Sequence, residues 1–324
     1  MKIMLCGGAG YIGSHMAQML AEQGHDLCVL DNLSTGHREA AKWGEFIAAD
    51  LRDTEALDGA FKRHKVDAVM HFCALSLVGQ SVSEPYPYYQ NNVAGTLNLL
   101  EAMQRHDVNQ IVFSSTAAVF GNPVAPLIDE SHPKAPVNPY GATKLMVERI
   151  LADAHAAYGL RSVALRYFNA AGALPEYGIG EAHACETHLI PNVLKSALAT
   201  GPALKVFGDD YETVDGTCVR DYVHVQDLAQ AHALALSFMD REDGAHAFNL
   251  GNGQGFSVRQ VIDAASQVTG VPIPFSVAPR RTGDPAILVA ASDRARQQLG
   301  WQPRWTELGP IIESAWRWHR DQPF

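Results

Sequence analysis

Tyr140 and Lys144 lie four residues apart, just after Pro139, at the start of a segment with helical spacing. Side chains so spaced share one face of a helix. A phenol with its ordinary pKa near 10 is a poor base at neutral pH, but a neighbouring ammonium stabilises the phenolate and lowers that value. The pair therefore suits removal of a proton from a hydroxyl. Alone it is a weak signal, because Tyr and Lys often share a solvated helix face. A second element strengthens it: Phe113-Ser114-Ser115-Thr116 stands at the end of an apolar run that reads as a strand. Ligands of open α/β sheets bind outside the carboxyl ends of the strands, where a hydroxyl such as that of Thr116 reaches the same oxygen as the tyrosine. Hydroxyls also cap helices and close turns, so it is the joint occurrence that carries information.

A third element names a partner for this chemistry. Gly7-Gly8-Ala9-Gly10-Tyr11-Ile12-Gly13 follows the first predicted strand and opens the first predicted helix. Gly8-x-Gly10-x-x-Gly13 satisfies the dinucleotide fingerprint: the glycines permit a tight turn, a close backbone approach to pyrophosphate and close packing of helix on strand. The helix N-terminus then meets the phosphates with free N–H groups. Asp31 ends the next predicted strand, where a carboxylate accepts from the adenosine ribose and repels a 2′-phosphate, favouring NAD over NADP. Asp50 ends the third strand in a similar place. It suits a contact to the adenine, and nearly as well a cap for the helix that follows.

The elements that must position these residues are legible as alternation. Ile3 to Cys6, Leu27 to Leu30, Phe46 to Ala49, Ala68 to Phe72, Ile111 to Phe113 and Val163 to Leu165 read as buried strands, separated by helical stretches such as Ser14 to Gln23 and Asn91 to Arg105. That rhythm predicts a Rossmann-like, doubly wound parallel sheet. After about Phe168 glycine, proline and polar loops become frequent, predicting a smaller C-terminal α/β substrate-binding domain. The expected division is 1–168 for the NAD-binding part, with a return segment at about 221–250, and 169–220 plus 251–324 for the rest.

Composition sets outer bounds. With 47% hydrophobic and 19% charged residues the chain is an ordinary globular protein, and its net charge of −10 disfavours nucleic acid or an anionic membrane as partner. Cys6, Cys28, Cys73, Cys185 and Cys218 are scattered and odd in number, which fits a reducing cytoplasm better than a disulfide framework. No signal peptide or membrane-length apolar run is evident. His183-x-Cys185-x-x-His188 has the spacing of metal ligands, but lacks a fourth ligand nearby in sequence, and no metal is expected.

The ordered strings GGAGYIGSH (7–15), LDNLSTG (30–36), NNVAGT (91–96), FSSTAAVFG (113–121), PYGATK (139–144), RYFNAAGA (166–173), THLIP (187–191), VRDYVHVQDLA (219–229) and PRRTGDP (279–285) run nearly end to end. Together they resemble the extended short-chain dehydrogenase/reductase family, and within it the members that epimerise UDP-hexoses at C4. The resemblance implies Tyr140 as the base, Lys144 as its cofactor-binding helper and Thr116 as the hydroxyl that shares the sugar oxygen. It implies NAD contacts at Gly7, Gly10, Tyr11, Ile12, Gly13, Asp31, Asn32, Leu33, Ser34, Thr35, Gly36, Asp50, Leu51, Phe72, Ala74, Ser76, Asn91, Ser114 and Phe168, in addition to Tyr140 and Lys144. Ala74 and Ser76 replace Gly and Lys of some relatives, so one charged contact to the cofactor is lost.

For the nucleotide sugar the resemblance implies Asn169, His188, Leu189, Arg220, Arg281 and Asp284, besides Thr116. Planar arginine forks suit phosphate oxygens, although Arg220 taken alone reads as an ion-pair partner of an Asp such as Asp221. Related sugar dehydratases carry acidic residues directly after the strand-end hydroxyl, where this chain has Ala117 and Ala118. Epimerisation of UDP-glucose and UDP-galactose, within galactose metabolism, is thus the implied activity. The implied assembly is a homodimer through helices at about 86–105 and 140–158, to which Ala152, Ala154, Ala156 and Ala157 lend small-residue packing. Two alternatives stand beside this reading. One is a 4-epimerase of an N-acetylhexosamine, pentose or uronate, on which Leu288 bears; the other is a non-catalytic NAD-binding protein of the same fold.

Overall fold

The computed structural model describes residues 1–281, 284–321 and 324, so Thr282 and Gly283 of the 279–285 string lie outside the described residues. Strands β1 (Lys2–Cys6), β2 (Asp26–Asp31), β3 (Glu45–Ala48), β4 (Ala68–His71), β5 (Gln110–Thr116) and β6 (Arg161–Tyr167) come from the apolar runs of the first half. Three further strands, β7 (Asn169–Ala171), β8 (Leu204–Phe207) and β9 (Val219–His224), lie elsewhere, and β10 (Ala245–Leu250) returns to the first six. The result is a seven-stranded parallel sheet in the order β10-β6-β5-β4-β1-β2-β3.

Such a sheet must be covered on both faces, since its strands are apolar throughout. Along β1, Ile3 and Leu5 enter one core with the helices Tyr11–Glu22 and Val225–Met239. Met4 and Cys6 enter another, with Thr54–His64, Gly95–Arg105 and Pro139–Tyr158. The chain winds outward from β1 through β2 and β3 on one side and through β4, β5 and β6 on the other. The order therefore reverses between β1 and β4, where a crevice opens at the carboxyl ends.

The second unit is organised around β9. Its neighbours are β7 and β13 (Ile287–Leu288), both parallel, and β11 (Gly255–Ser257), antiparallel. A separate parallel pair joins β8 to β12 (Phe275–Ala278). Helices Leu189–Ala197, Val258–Thr269 and Leu308–Arg320 enclose its core. The segment expected to return at 221–250 divides: the helix Val225–Met239 and β10 rejoin the large sheet, but Asp221–His224 belong to β9. The reason is the buried Asp221 carboxylate, which accepts from the backbone N–H groups of Asn252, Gly253 and Ala290 and so binds β9 to the second unit. No helix among the described residues is long and apolar enough to cross a membrane.

Two features fix the helix Pro139–Tyr158 against the sheet. Asn138 caps it through the Gly141 N–H at 2.8 Å, with Pro139 in the first turn. A Cβ on Gly141 would fall 2.4 Å from the Ala118 carbonyl oxygen, so the helix start lies directly on the turn that follows β5. Two turns further on, Glu148 accepts from Arg166 Nε (2.9 Å) and Nη2 (2.6 Å) of β6, and from Ser115 Oγ (2.6 Å) of β5. Both charged side chains are buried. Removing one partner leaves the other charge buried and unpaired, so Glu148→Ala is expected to lower the unfolding free energy by about 3–5 kcal/mol. A urea titration measures this, and a loss below about 1 kcal/mol, the worth of an exposed ion pair, would overturn the clamp.

Candidate active site

At the reversal point the glycine loop is compact. Gly7 has φ +82, and a Cβ on Gly13 would sit 2.2 Å from the Gly7 carbonyl oxygen, so the first helix starts on top of the loop. No side chain among the described residues caps that helix, and its first turn holds no acidic residue. Its leading N–H groups are thus suited to an anion, as the pyrophosphate of a dinucleotide requires. Tyr11 leaves the loop sideways, its hydroxyl donating to the Gly172 carbonyl (2.6 Å) just after β7. Ile12 is partly buried and packs on the sheet core.

Asp31 has a prior task. Its buried carboxylate accepts from the backbone N–H of Ala9 (3.0 Å) and of Leu33 (2.8 Å). Burial raises its pKa, against the opposing effect of these two hydrogen bonds. The segment Asn32–Gly36 curls over the glycine loop, so close that a Cβ on Gly36 would meet Ala9 backbone at 2.8 Å; Leu33, Ser34 and Thr35 are exposed. Asp50 does not cap the next helix; Asp53 does, through Ala56 N–H. Asp50 instead accepts from Asn32 Nδ2 (2.8 Å) and from Arg52 Nε (2.9 Å) and Nη2 (2.7 Å), and the Arg52 hydrogen bond holds its carboxyl well below the usual range. Leu51 turns its side chain into the core beneath. Arg52 was not singled out in the sequence, where it is one more surface charge.

After β4, the Phe72 carbonyl carbon lies against Gly7; along the loop that follows, Phe72 and Ala74 are half-buried and Ser76 is exposed. The residue that holds this loop is Asn92, which the sequence reading passed over in favour of Asn91. Its side chain accepts from Leu75 N–H and donates to the Leu75 carbonyl and to Thr143 Oγ1, while Asn91 Nδ2 donates to it. Asn91 and Asn92 lie in a wide π turn, Tyr89–Ala94, at the head of the helix Gly95–Arg105. Such turns often occur at functional sites. The signal was available, since NNVAGT carries both residues.

The structure brings Tyr140, Lys144, Ser114 and Thr116 together. Thr116 ends β5; its hydroxyl accepts from Ala118 N–H (3.1 Å) and is near enough to the Tyr140 phenol to oppose the rise in its pKa. Lys144 is buried and donates to the Ser114 carbonyl (2.7 Å), with its Nζ 4.7 Å from the Phe113 ring centre and 6.0 Å from that of Tyr140. In the polypeptide itself Lys144 does not depress the phenol. Burial pushes Tyr140 up to about 12, opposed by the Thr116 hydrogen bond, and burial pushes Lys144 down to about 7. Low-dielectric surroundings penalise both charged forms. Ala117 and Ala118 form the turn after Thr116 and bring no carboxylate to it.

Residues expected for the sugar nucleotide are in the second unit or at its border. Phe168, expected at the cofactor, is half-buried and, like Leu288, packs against the cluster of Ala117, Val119, Phe120 and Ile128. Asn169 Nδ2 donates to the Asp221 carbonyl (2.7 Å). Arg220 pairs with Asp284 (3.5 Å), not with Asp221, and donates to the Val219 and Pro285 carbonyls at 2.9 Å each. Arg281 is exposed and lies 4.0 Å over the Phe207 ring centre. His188 is the residue before the helix Leu189–Ala197; it is exposed, and Leu189 is half-buried.

Comparison with known proteins gives the family and the fold. A family profile described as "NAD dependent epimerase/dehydratase family" matches residues 3–251. A UDP-glucose 4-epimerase of Halalkalibacterium halodurans is 53% identical over 323 residues, covering 100% of this chain and 97% of the relative. A crystal structure of a UDP-glucose 4-epimerase superposes with a TM-score of 0.97 at 49% identity, covering 100% of this chain and 98% of the other. The Brucella ovis UDP-glucose 4-epimerase in complex with NAD gives 0.95 at 45% identity and 97% coverage of both.

Lys144 offers a measurable consequence of its burial. Its amine titrates at about 7 in the folded chain, against an ordinary lysine value of 10.5. Between those values the unfolded chain holds the extra proton, so stability rises with pH across the window. Lys144→Met lacks that slope, and its stability relative to wild type should fall by up to about 1.4 kcal/mol per pH unit from pH 7 to 10. Urea titrations at pH 7, 8.5 and 10 test this; parallel curves for the two proteins would contradict it.

Proposed function

From the premise that the chain belongs to the NAD dependent epimerase/dehydratase family, we propose that it interconverts UDP-glucose and UDP-galactose by transient oxidation at C4, with Tyr140 as acid and base. The observation that carries this reading is the placing of the Tyr140 phenol next to the Thr116 hydroxyl at the carboxyl end of β5, with Lys144 held on the Ser114 carbonyl of the same strand. The near-full-length identity to named UDP-glucose 4-epimerases supports the substrate.

NAD is the cofactor of this family, and the uncapped helix start over a glycine turn suits its pyrophosphate. Gly10 to Gly13 would hold the diphosphate, Asp31 to Gly36 and Asp50 the adenosine end, and Lys144 with the loop after β4 the nicotinamide end. Bound there, NAD would supply the hydride acceptor and donor for C4, and its oxidised ring would bring a positive charge to the site. The protein's own part is the proton. Thr116 holds the 4-oxygen of the sugar, and Tyr140 takes that oxygen's proton as the C4–H bond breaks and gives it back as the bond re-forms. A phenol pushed up by burial does this only against nearby positive charge, which the oxidised cofactor ring would bring and the protonated form of Lys144 would add. With Ala117 and Ala118 after Thr116, no side chain there is able to protonate a leaving hydroxyl, so elimination of water has no acid.

Asn169, His188, Leu189, Arg220, Arg281 and Asp284 would receive the UDP moiety, with Arg220 exchanging its Asp284 partner for phosphate oxygens. We also read the chain as a homodimer through the helices near 86–105 and 139–158. Tyr86, Leu97, Met146 and Tyr158 are exposed apolar surface on these segments, and Ala152, Ala156 and Ala157 are exposed while Ala154 is in the monomer core.

Purified protein should convert UDP-galactose to UDP-glucose without net formation of NADH. Tyr140→Phe should lower kcat by about 100- to 10,000-fold, with Thr116→Ala intermediate. Unchanged turnover in Tyr140→Phe would remove that residue from the mechanism. Light scattering should give twice the chain mass; a monomer would remove the interface.

A further inference from the structure

The loop between β7 and the helix Leu189–Ala197 gathers four side chains that the proposed reaction does not use as a group: Glu181, His183, Glu186 and His188. One ligand-type atom from each lies within 4.8 Å of all the others. His183 Nδ1 is 3.2 Å from Glu181 Oε1 and 3.5 Å from Glu186 Oε2; His188 Nδ1 is 3.8 Å from Glu186 Oε1 and in contact with Glu181 Oε1. Tetrahedral coordination at about 2.0–2.1 Å would set ligand atoms about 3.3–3.4 Å apart; the separations of 3.2 to 3.8 Å are of that scale, and His188 Nδ1 would have to draw back from Glu181 Oε1 to admit an ion. We propose that Glu181, His183, Glu186 and His188 form a binding site for a divalent transition-metal ion of the zinc type.

Charge and hydrogen bonding distinguish this from a plain ion-pair cluster. The two carboxylates are 4% and 3% exposed, so about two positive charges must accompany them. Two imidazolium rings would meet the need, but both direct Nδ1 at the same Glu181 oxygen with ring centres 5.5 Å apart, setting like charges against each other. One divalent ion meets it with both rings neutral, their nitrogen lone pairs converging as ligands. Glu186 supplies an independent sign. Its Oε1 accepts from the backbone N–H groups of Thr187 and His188 at 2.8 Å each, which aims Oε2 inward. That Oε2 is buried and makes no well-formed hydrogen bond among the described residues; it meets His183 Nδ1 only at 3.5 Å. A buried carboxylate oxygen without a hydrogen-bond donor is costly, and a metal ion would satisfy it.

The ligands are also pre-positioned, as a metal site needs. Trp318 Nε1 donates to the Glu181 carbonyl (2.9 Å), the His37 ring nitrogen is bonded to the Ala182 carbonyl (2.6 Å), and Asn192 Nδ2 donates to the His188 carbonyl (2.8 Å). A Cβ on Gly180 would strike the Trp318 ring at 2.4 Å, so the chain approaches that ring as only glycine allows. Imidazole nitrogen with carboxylate oxygen is a donor set for zinc and its first-row neighbours, not for magnesium or calcium. Cys185, which the sequence spacing had placed between the histidines, is exposed and supplies no atom to the cluster. Coordination through Nδ1 leaves Nε2–H of His188 free, so the site and the proposed sugar contact use different ring nitrogens.

The test is a zinc titration of the full chain, freed of metal by chelator and dialysis, against a chromophoric competitor. It involves neither substrate nor turnover, so its outcome is separate from that of the epimerase reading. Wild type should take up one Zn²⁺ per chain. His183→Ala and Glu181→Gln should bind it about tenfold or more weakly, and Cys185→Ser should match wild type. Because Glu181 is buried, His183→Ala, whose ring is partly exposed, decides the matter if Glu181→Gln fails to fold. Absence of saturable binding in wild type, unchanged affinity in a folded His183→Ala, or loss of binding in Cys185→Ser would each overturn the site.

Discussion

A carboxylate taken out of water must find compensation on the spot, and in this protein the compensation of Glu148 determines where the chemistry-bearing side chains stand. Arg166 on β6 grips both its oxygens, and Ser115 on β5 adds a third bond. The helix Pro139–Tyr158 is thereby registered against two strands at once. With its lower turns fixed, Gly141 seats its first turn on Ala118, and Tyr140 arrives at the end of β5 within reach of Thr116. Slippage of the helix would unpair two buried charges, which is far dearer than any exposed contact is worth.

The parallel sheet contributes the other half of the geometry. Its reversal between β1 and β4 opens one crevice, and the glycine loop, the loop after β4 and the Ser114–Thr116 strand end all face it. Side chains brace each of these segments: Asp31 ties Ala9 to Leu33, and Asn92 ties Leu75 to Thr143. The crevice is thus a rigid scaffold edge more than a set of free loops. The second unit closes on it through Tyr11, whose hydroxyl is bonded across to Gly172.

Burial governs the electrostatics of this edge. The Tyr140 phenol and the Lys144 amine are both pushed toward their neutral forms, which leaves the pair poised for a positive ligand. The 181–188 loop follows the opposite logic: two buried carboxylates keep positive charge close, and burial alone would otherwise favour neutral histidines. The two sites lie on different elements and call for different partners.

The sequence by itself determined the large sheet and singled out its glycine loop and the Tyr-Lys-Thr set, because these depend on local signals. Apolar runs of strand length, glycines where a Cβ cannot fit and i,i+4 spacing on one helix are all written in consecutive residues. It missed what depends on long-range pairing. Glu148 meets Arg166 and Ser115, Asn92 meets Thr143, and Arg220 chooses Asp284 over its neighbour Asp221 only once the strands are stacked. The buried carboxylate of Asp221 likewise assigned β9 to the second unit although its hydropathy resembles that of its neighbours. The histidine loop shows the same divide. Sequence spacing offered His183, Cys185 and His188, whereas the fold turned Cys185 outward and brought in Glu181 and Glu186, because ligand sets are chosen by side-chain direction in three dimensions and not by separation along the chain.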